Sequence, residues 1–196
     1  MADAAPPARR RDPLRTKRAL LDAAASSVVT HGAGVSVDVI ARTAGVSKSG
    51  LLHHFGSKEQ LFAALAQDAF DRFAAEAEAA VEPDDLAPGR LLRGYLRATF
   101  AQAADPDAAD YWAVMAHLAV VPAVAEAARA DFRFWEGRLT ADGFDPAVAQ
   151  LVLLAANGLE LGEAVGWVPG GDRDQLRDRL LKLTRAADTV RDVLLP

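Results

Sequence analysis

Three serines, Ser36, Ser47 and Ser57, each stand immediately before a run of helix-forming residues, and Gly45 lies between the first two. This punctuation constrains the local geometry more tightly than any other stretch of the chain. A serine at a helix entry accepts a hydrogen bond from a first-turn N–H that has no partner within the helix. The pattern predicts one short helix opening at Val37-Asp38-Val39-Ile40 and a second at Lys48-Ser49-Gly50-Leu51. It predicts the start of a third at Lys58-Glu59-Gln60. Val35 with Ile40, and Val46 with Leu51, have the spacing of hydrophobic staples, and Ser57 with Gln60 that of a capping box. Gly45 supplies the left-handed residue that ends the first helix. Only Gly45 to Ser47 separate the two short helices, which makes a helix-turn-helix corner. Such a corner can lay its second helix in a DNA groove.

The helical wheel of residues 47–55 divides the work. Leu51 and Phe55, four apart, share one face and should pack inward. Ser49 and His53, also four apart, point the opposite way, with Lys48 near the start and Leu52 and His54 on the flanks. Ser and His bond base edges or phosphates, and Lys supplies charge. Lys58 opens the next helix, where its stem could reach the phosphate backbone. Plainer readings stand beside these. Ser36, Ser47 and Ser57 are capping residues first, and Arg42, Lys48 and Lys58 could be ordinary solvated charges. The adjacent His53 and His54 lie about 100° apart on a helix, a poor geometry for sharing a metal. No metal site is expected. The constellation, rather than any single residue, points to DNA.

The charge distribution agrees. The net charge of −5 argues against a nucleic-acid partner, but residues 1–60 carry nine Lys/Arg against five Asp/Glu, while 61–196 carry thirteen against twenty-two. The positive charge is therefore gathered around the groove-reading helix. Residues 1–12, Ala/Pro/Arg-rich and without an apolar core, read as a disordered basic arm rather than a signal peptide. Arg9-Arg10-Arg11 either adds phosphate contacts or belongs to a solvated tail. There is no cysteine, so disulfide and thiolate chemistry are excluded. The most apolar run, Leu151 to Val168, is interrupted by Asn157, Glu160 and Glu163 and does not make a membrane span. A cytoplasmic protein that does not engage a membrane is expected.

Residues 14–65 resemble the DNA-binding domain of TetR-type bacterial transcriptional regulators. The resemblance runs from the helix at Arg15 to Gly32, through Ile40-Ala41 and Ala44-Gly45-Val46-Ser47, to His53-His54-Phe55-Gly56-Ser57-Lys58-Glu59. It implies an all-α homodimer with an N-terminal DNA-binding domain and a C-terminal domain that binds a small-molecule effector. Carried over by position, the DNA contacts would come from Ser36, Arg42, Lys48, Ser49, His53, His54 and Lys58. Ser47 adds local N–H groups and a hydroxyl to the same surface. At Leu52 the family commonly has an aromatic residue, usually Tyr, that touches phosphate. Leu52 cannot donate that bond, and either meets a thymine methyl or packs.

Past residue 58 helix follows helix, with no strand alternation and no repeat. Residues 13–60 are assigned to the helix-turn-helix domain and 61–196 to a helical effector-binding and dimerisation domain. The pattern predicts a long helix from Ser57 to about Val81 with Phe62, Ala66, Phe70, Phe73 and Ala77 on one face. A second spans about Gly89 to Ala104 with a stripe of Leu92, Tyr95, Leu96, Thr99 and Phe100, and a third about Ala108 to Val120. A fourth opens at Pro122 with Ala128, Phe132, Trp135 and Leu139 as its stripe. A fifth runs from Pro146 to near Gly166, and a sixth from about Arg173 to Leu194. In the sixth, Leu176, Leu180, Leu183, Ala187, Val190 and Leu194 form a heptad-like seam. The fifth is apolar on most sides and carries the small residues Ala155, Gly158 and Gly162, so it must be covered from two directions. These two helices either make a four-helix bundle with a second copy or spend both faces within one chain. The resemblance favours the dimer, whose two reading helices would meet the half-sites of a palindromic operator on double-stranded DNA.

For the effector, Tyr95, Phe100, Trp112, Met115, His117, Phe134, Asn157 and Glu160 offer aromatic surface with a few polar groups, suited to a mostly apolar ligand. The competing reading makes the aromatics plain core. Asn157 and Glu160 face either a cavity or solvent. An enzyme is not expected: the four histidines are scattered and no HExxH spacing, phosphate loop or cofactor motif is found. A helical protein-binding adaptor using the 176–194 seam would leave the basic, polar face of 48–53 without a role. The reading that absorbs most features is a ligand-responsive, sequence-specific transcriptional regulator, a repressor in preference to an activator.

Overall fold

The computed structural model describes residues 13–103, 114–164 and 173–186, with backbone alone for 103 and 160–164. Its helices are α1 (Pro13–His31), α2 (Val37–Thr43), α3 (Lys48–Phe55), α4 (Lys58–Ala79), α5 (Arg90–Ala103), α6 (Pro122–Ala141), α7 (Pro146–Ala164) and α8 (Arg173–Arg185). A further helical stretch at 114–118 leads into α6, and no strand occurs among the described residues. The N-terminal arm, the Asp105-Pro106-Asp107 break and the start of the predicted third helix lie outside them. So do Trp112, the Glu160 side chain, the surroundings of Gly162, and Ala187, Val190 and Leu194 of the predicted seam.

All three predicted serine caps are made. Ser36 Oγ accepts from the Val39 amide at 3.3 Å, Ser47 Oγ from Gly50 at 3.0 Å and Ser57 Oγ from Gln60 at 3.1 Å. Gly45 takes φ +68°, the left-handed region that ends α2. The reciprocal half of the capping box is replaced by a tight turn, in which the Ser57 amide donates to the Phe55 carbonyl at 2.8 Å.

Burial of apolar side chains divides the molecule into two cores. The first joins Leu20, Ala24 and Val28 of α1, Ile40 of α2, Leu51 and Phe55 of α3, and Leu61, Phe62 and Leu65 of α4. Val114, Leu118 and Val124 close it from the far side of the sequence. The second joins Phe73 and Ala77 of α4, Leu92, Leu96 and Phe100 of α5, Trp135 and Leu139 of α6, Val148 and Val152 of α7, and Leu180 of α8. Helices α4 and α6 pass through both cores side by side and in the same direction: Trp135 stacks edge-on against Phe73, and Arg138 pairs with Glu78.

The stripe predicted for α6 needs correcting. Trp135 and Leu139 are buried, but Ala128 is exposed and Phe132 is 48% exposed. The inward face runs instead through Val124 and the half-buried Asp131. Asp131 therefore lies where α6 passes from one core to the other. Burial, with a smaller contribution from the charge of Asp71 on α4, pushes its carboxyl up from 3.8 to about 6. The folded chain thus binds this proton more tightly than the unfolded chain. Stability falls as pH rises from 3.8 to about 6 and is level above that. Asp131→Asn is expected to raise stability at pH 7.5 by about 1–2 kcal/mol, discounted for partial solvation. That corresponds to about 2–8 °C in Tm. Thermal unfolding from pH 4 to 8 checks this: the gap between the two proteins should close towards pH 4.

Helix α5 is enclosed on almost every side, with Leu91, Leu92, Arg93, Leu96, Ala98, Thr99 and Phe100 all buried. It is the axle of the second core rather than an amphipathic cover. The α8 seam meets the chain's own core in part, as far as it is described. Leu180 and Thr184 are buried, and Leu176 and Leu183 pack partly on the second core and stay half-exposed. In α7, by contrast, Val148, Val152 and Ala156 are buried while Leu151 and Leu154 are 44% and 66% exposed. Ala155 and Gly158 lie on the same open side.

Candidate nucleic-acid interface

Helix α3, the expected reading helix, is held from behind. Leu51 and Phe55 are sunk in the first core, while Lys48, Ser49, His53 and His54 are exposed. Leu52 is half-buried and packs on the edge of that core, the packing alternative of its two readings. Ser47 caps α3, and its hydroxyl lies 3.1 Å from that of Ser49. Ser36 is exposed at the start of α2 and Arg42 is exposed in its last turn. The His53 and His54 rings meet edge-on at 5.9 Å, and no group of residues able to hold a metal ion occurs among the described residues. Two cations are engaged. Lys48 Nζ lies 2.9 Å from Asp38 Oδ2, which bridges α3 to α2 in the open. Lys58, expected to reach outward, instead donates to the carbonyls of Ala33 (3.1 Å) and Val35 (3.3 Å). Its ammonium also sits over the Phe62 ring at 5.6 Å. The reason is local: the α1–α2 loop turns at Gly32 and leaves carbonyls without helical partners, and a long cation next to them satisfies both.

The residues predicted for an effector scatter. Tyr95 and Asn157 come together, with the Asn157 amide donating to the Tyr95 hydroxyl at 3.0 Å, and Phe100 is buried in the same core. Phe134 is 45% exposed, lying edge-on to Trp135 and beneath the Arg138 guanidinium. Met115 packs on the first core, and His117 is exposed beside Gly32. Those two thus belong with the first core, because residues 114–124 double back onto it. Sequence reading placed Trp135 in a stripe and missed its wider surroundings. Phe73, Tyr95 and Trp135 stand mutually perpendicular, with Tyr95 at 4.7 Å from Phe73 and 4.9 Å from Trp135. The Trp135 indole N–H is buried with no acceptor among the described residues, and Gln102 Oε1 at the end of α5 is likewise buried with no donor among them.

Two family models match the chain. Bacterial regulatory proteins of the tetR family match residues 20–65, and the tetracyclin repressor-like C-terminal domain matches residues 89–185. The chain belongs to the TetR family. The HTH-type transcriptional regulator RutR of Escherichia coli is 38% identical over 82 residues, covering 41% of this chain and 38% of RutR. The matched stretch is thus well under half the length of that curated relative. A transcriptional regulator from Pseudomonas aeruginosa PAO1 superposes with TM-score 0.78 at 19% identity, over 95% of this chain and 97% of the other. The multidrug binding protein EbrR, complexed with ethidium, superposes with TM-score 0.66 at 22% identity, over 86% and 98% of the two chains. At those identities the likeness concerns the fold.

For this TetR-family regulator the fold class and the helix-turn-helix read from the sequence both stand, and the relatives it matches are transcriptional regulators rather than enzymes. No described helix is long and apolar enough to cross a membrane. Asp38 is the feature of the DNA-facing surface that sequence reading overlooked. It is the one carboxylate between Ser36 and Lys58, and its isolation among basic residues was the available signal.

Proposed function

We propose that this TetR-family protein is a cytoplasmic repressor that binds a palindromic operator as a homodimer and is released by a small, mainly apolar effector. The observation that carries the reading is the outward presentation of Ser49 and His53 over a buried Leu51 and Phe55. Only a helix fixed in this way can enter a groove without losing its own core. In this reading Arg42 and Lys48 meet phosphates, Ser49, His53 and His54 meet base edges, and the serine-capped helix entries at Ser36 and Ser47 add backbone donors. Lys58 braces the domain from the side.

The exposed apolar side of α7 (Leu151, Leu154, Ala155, Gly158) is the surface for a second copy. Two copies would set their reading helices at half-sites ~34–36 Å apart. The effector would enter beside Tyr95, Trp135 and Asn157, where aromatic faces and an unpaired indole N–H suit a flat apolar molecule with one acceptor. EbrR, with its ethidium, is a relative in fold that takes an aromatic ligand. A ligand preferring a different spacing of α4 and α6 would depopulate the DNA-competent arrangement.

The test is selection of bound duplexes from a random pool by the purified protein, followed by titrations at several salt concentrations. Lys48→Ala is expected to weaken binding on every sequence, about 5–20-fold, and to lower the salt slope by about one. His53→Ala is expected to change the preferred sequence. Equal losses on all sequences from both variants would refute the division of roles. Failure of the wild type to enrich any salt-sensitive site would refute the repressor itself.

A further inference from the structure

Asp38 is out of place on a surface built to meet a polyanion. Between Ser36 and Lys58 the ionisable side chains are otherwise Arg42, Lys48, His53, His54 and Lys58. Its carboxylate is not used by Arg42, although the two are four residues apart on α2, the usual spacing for an intrahelical pair. It reaches across to α3 and holds Lys48 Nζ at 2.9 Å, with both side chains 56% exposed. An ion pair this exposed adds little to folding. Its consequence lies in where it keeps the ammonium. Unrestrained, a lysine stem samples many rotamers and meets any phosphate within reach. Tied to Asp38, Lys48 is confined to the corner between α2 and α3.

We propose that Asp38 is a positioning residue that sets DNA specificity by restraining Lys48. The inference rests on the DNA-reading role proposed for α3. With α3 seated in the groove of its own site, the confined ammonium already lies where a backbone phosphate passes, and little further ordering is needed. In a loose, sequence-independent complex the phosphates lie elsewhere, so the tethered Lys48 reaches them only in part, and the carboxylate repels the strand. Asp38 therefore weakens binding to arbitrary DNA more than binding to the cognate site.

The experiment compares wild type, Asp38→Asn, Lys48→Ala and the double variant on two probes. One is a duplex that the wild type selects from a random pool, and the other is a scrambled duplex of equal length. Asp38→Asn should bind the scrambled duplex about 3–10-fold more tightly and with a salt slope steeper by about one. Its affinity for the selected duplex should change by less than about 2-fold, so the specificity ratio falls. In the Lys48→Ala background the same substitution should have much less effect on the scrambled duplex, since there is no ammonium to release. Unchanged Tm in Asp38→Asn shows that folding is not the cause. An unchanged ratio, or an equal gain on both probes, overturns the proposal. So does an effect that persists in full without Lys48. If the wild type selects no duplex at all, it is the reading of α3 that fails, and that result is distinguishable from the others.

Discussion

Asp85→Asn is expected to lower the free energy of unfolding by about 3–5 kcal/mol, the range for stranding one member of a buried ion pair. Asp85 and Arg93 are both almost wholly buried, at 3% and 0% side-chain exposure. The guanidinium holds the carboxylate in two bonds, Nε to Oδ2 at 2.5 Å and Nη2 to Oδ1 at 2.6 Å. Its remaining donors close the α4–α5 corner, Nη1 to the Pro88 carbonyl and Nη2 to that of Ala87, both at 3.1 Å. Four of the five N–H donors are used in this way, and the cation tolerates burial only as long as its anion is present. Arg93→Met should cost a similar amount, because it leaves two carbonyls without their side-chain donor and a buried carboxylate with only the Ala87 amide at 3.4 Å and the Arg185 guanidinium at 3.9 Å. The double variant Asp85→Asn/Arg93→Met leaves neutral groups alone and should lose clearly less than the two single losses added together. Urea unfolding of the four proteins checks this. Additive losses would mean that the pair does not act as a unit. The Arg93 hydrogen bonds also hold the Asp85 carboxyl below its ordinary 3.8. The contribution of the pair is therefore complete above that value and is lost as pH falls through the depressed one.

Gly94→Ala should destabilise by about 2–3 kcal/mol, in the upper part of the range for overpacking. A Cβ at this position would run into the Ala77 carbonyl oxygen and come within 2.7 Å of Val81 Cγ2. Helix propensity alone favours alanine by about 1 kcal/mol in a helix interior. Packing decides, because the obstacle includes backbone of α4, which cannot rotate away as a flexible side chain would. The two helices would have to separate, and Phe73, Tyr95 and Trp135 with them. Thermal unfolding gives the sign directly: a rise in Tm for Gly94→Ala would mean that α4 and α5 yield at little cost.

The N-terminal third was legible because its signals are local. A serine cap, a left-handed glycine and a staple each act within four or five residues, and all the information needed lies inside that window. Helix α6 was read less well. At helical spacing Phe132 looked like core, yet the inward face takes Asp131 and leaves Phe132 half in the open. A ranking by side-chain apolarity cannot see that α6 must pass from one core to another, with a carboxyl at the crossing. The same limit applies to α5. A stripe was visible, but nothing within α5 announces that Arg93 is buried, since its partner Asp85 lies in the preceding loop. The α8 seam was correctly seen as apolar, and periodicity is silent on whether a neighbour belongs to the same chain or to another.

The way residues 114–124 double back has a practical reach. Val114, Leu118 and Val124 are sealed into the same core as α3, so the helix-turn-helix head is not a contiguous cassette. Anyone transplanting that head onto another effector body would need to graft this distant plug along with it, or the chimera would carry a void beneath α1 and α4.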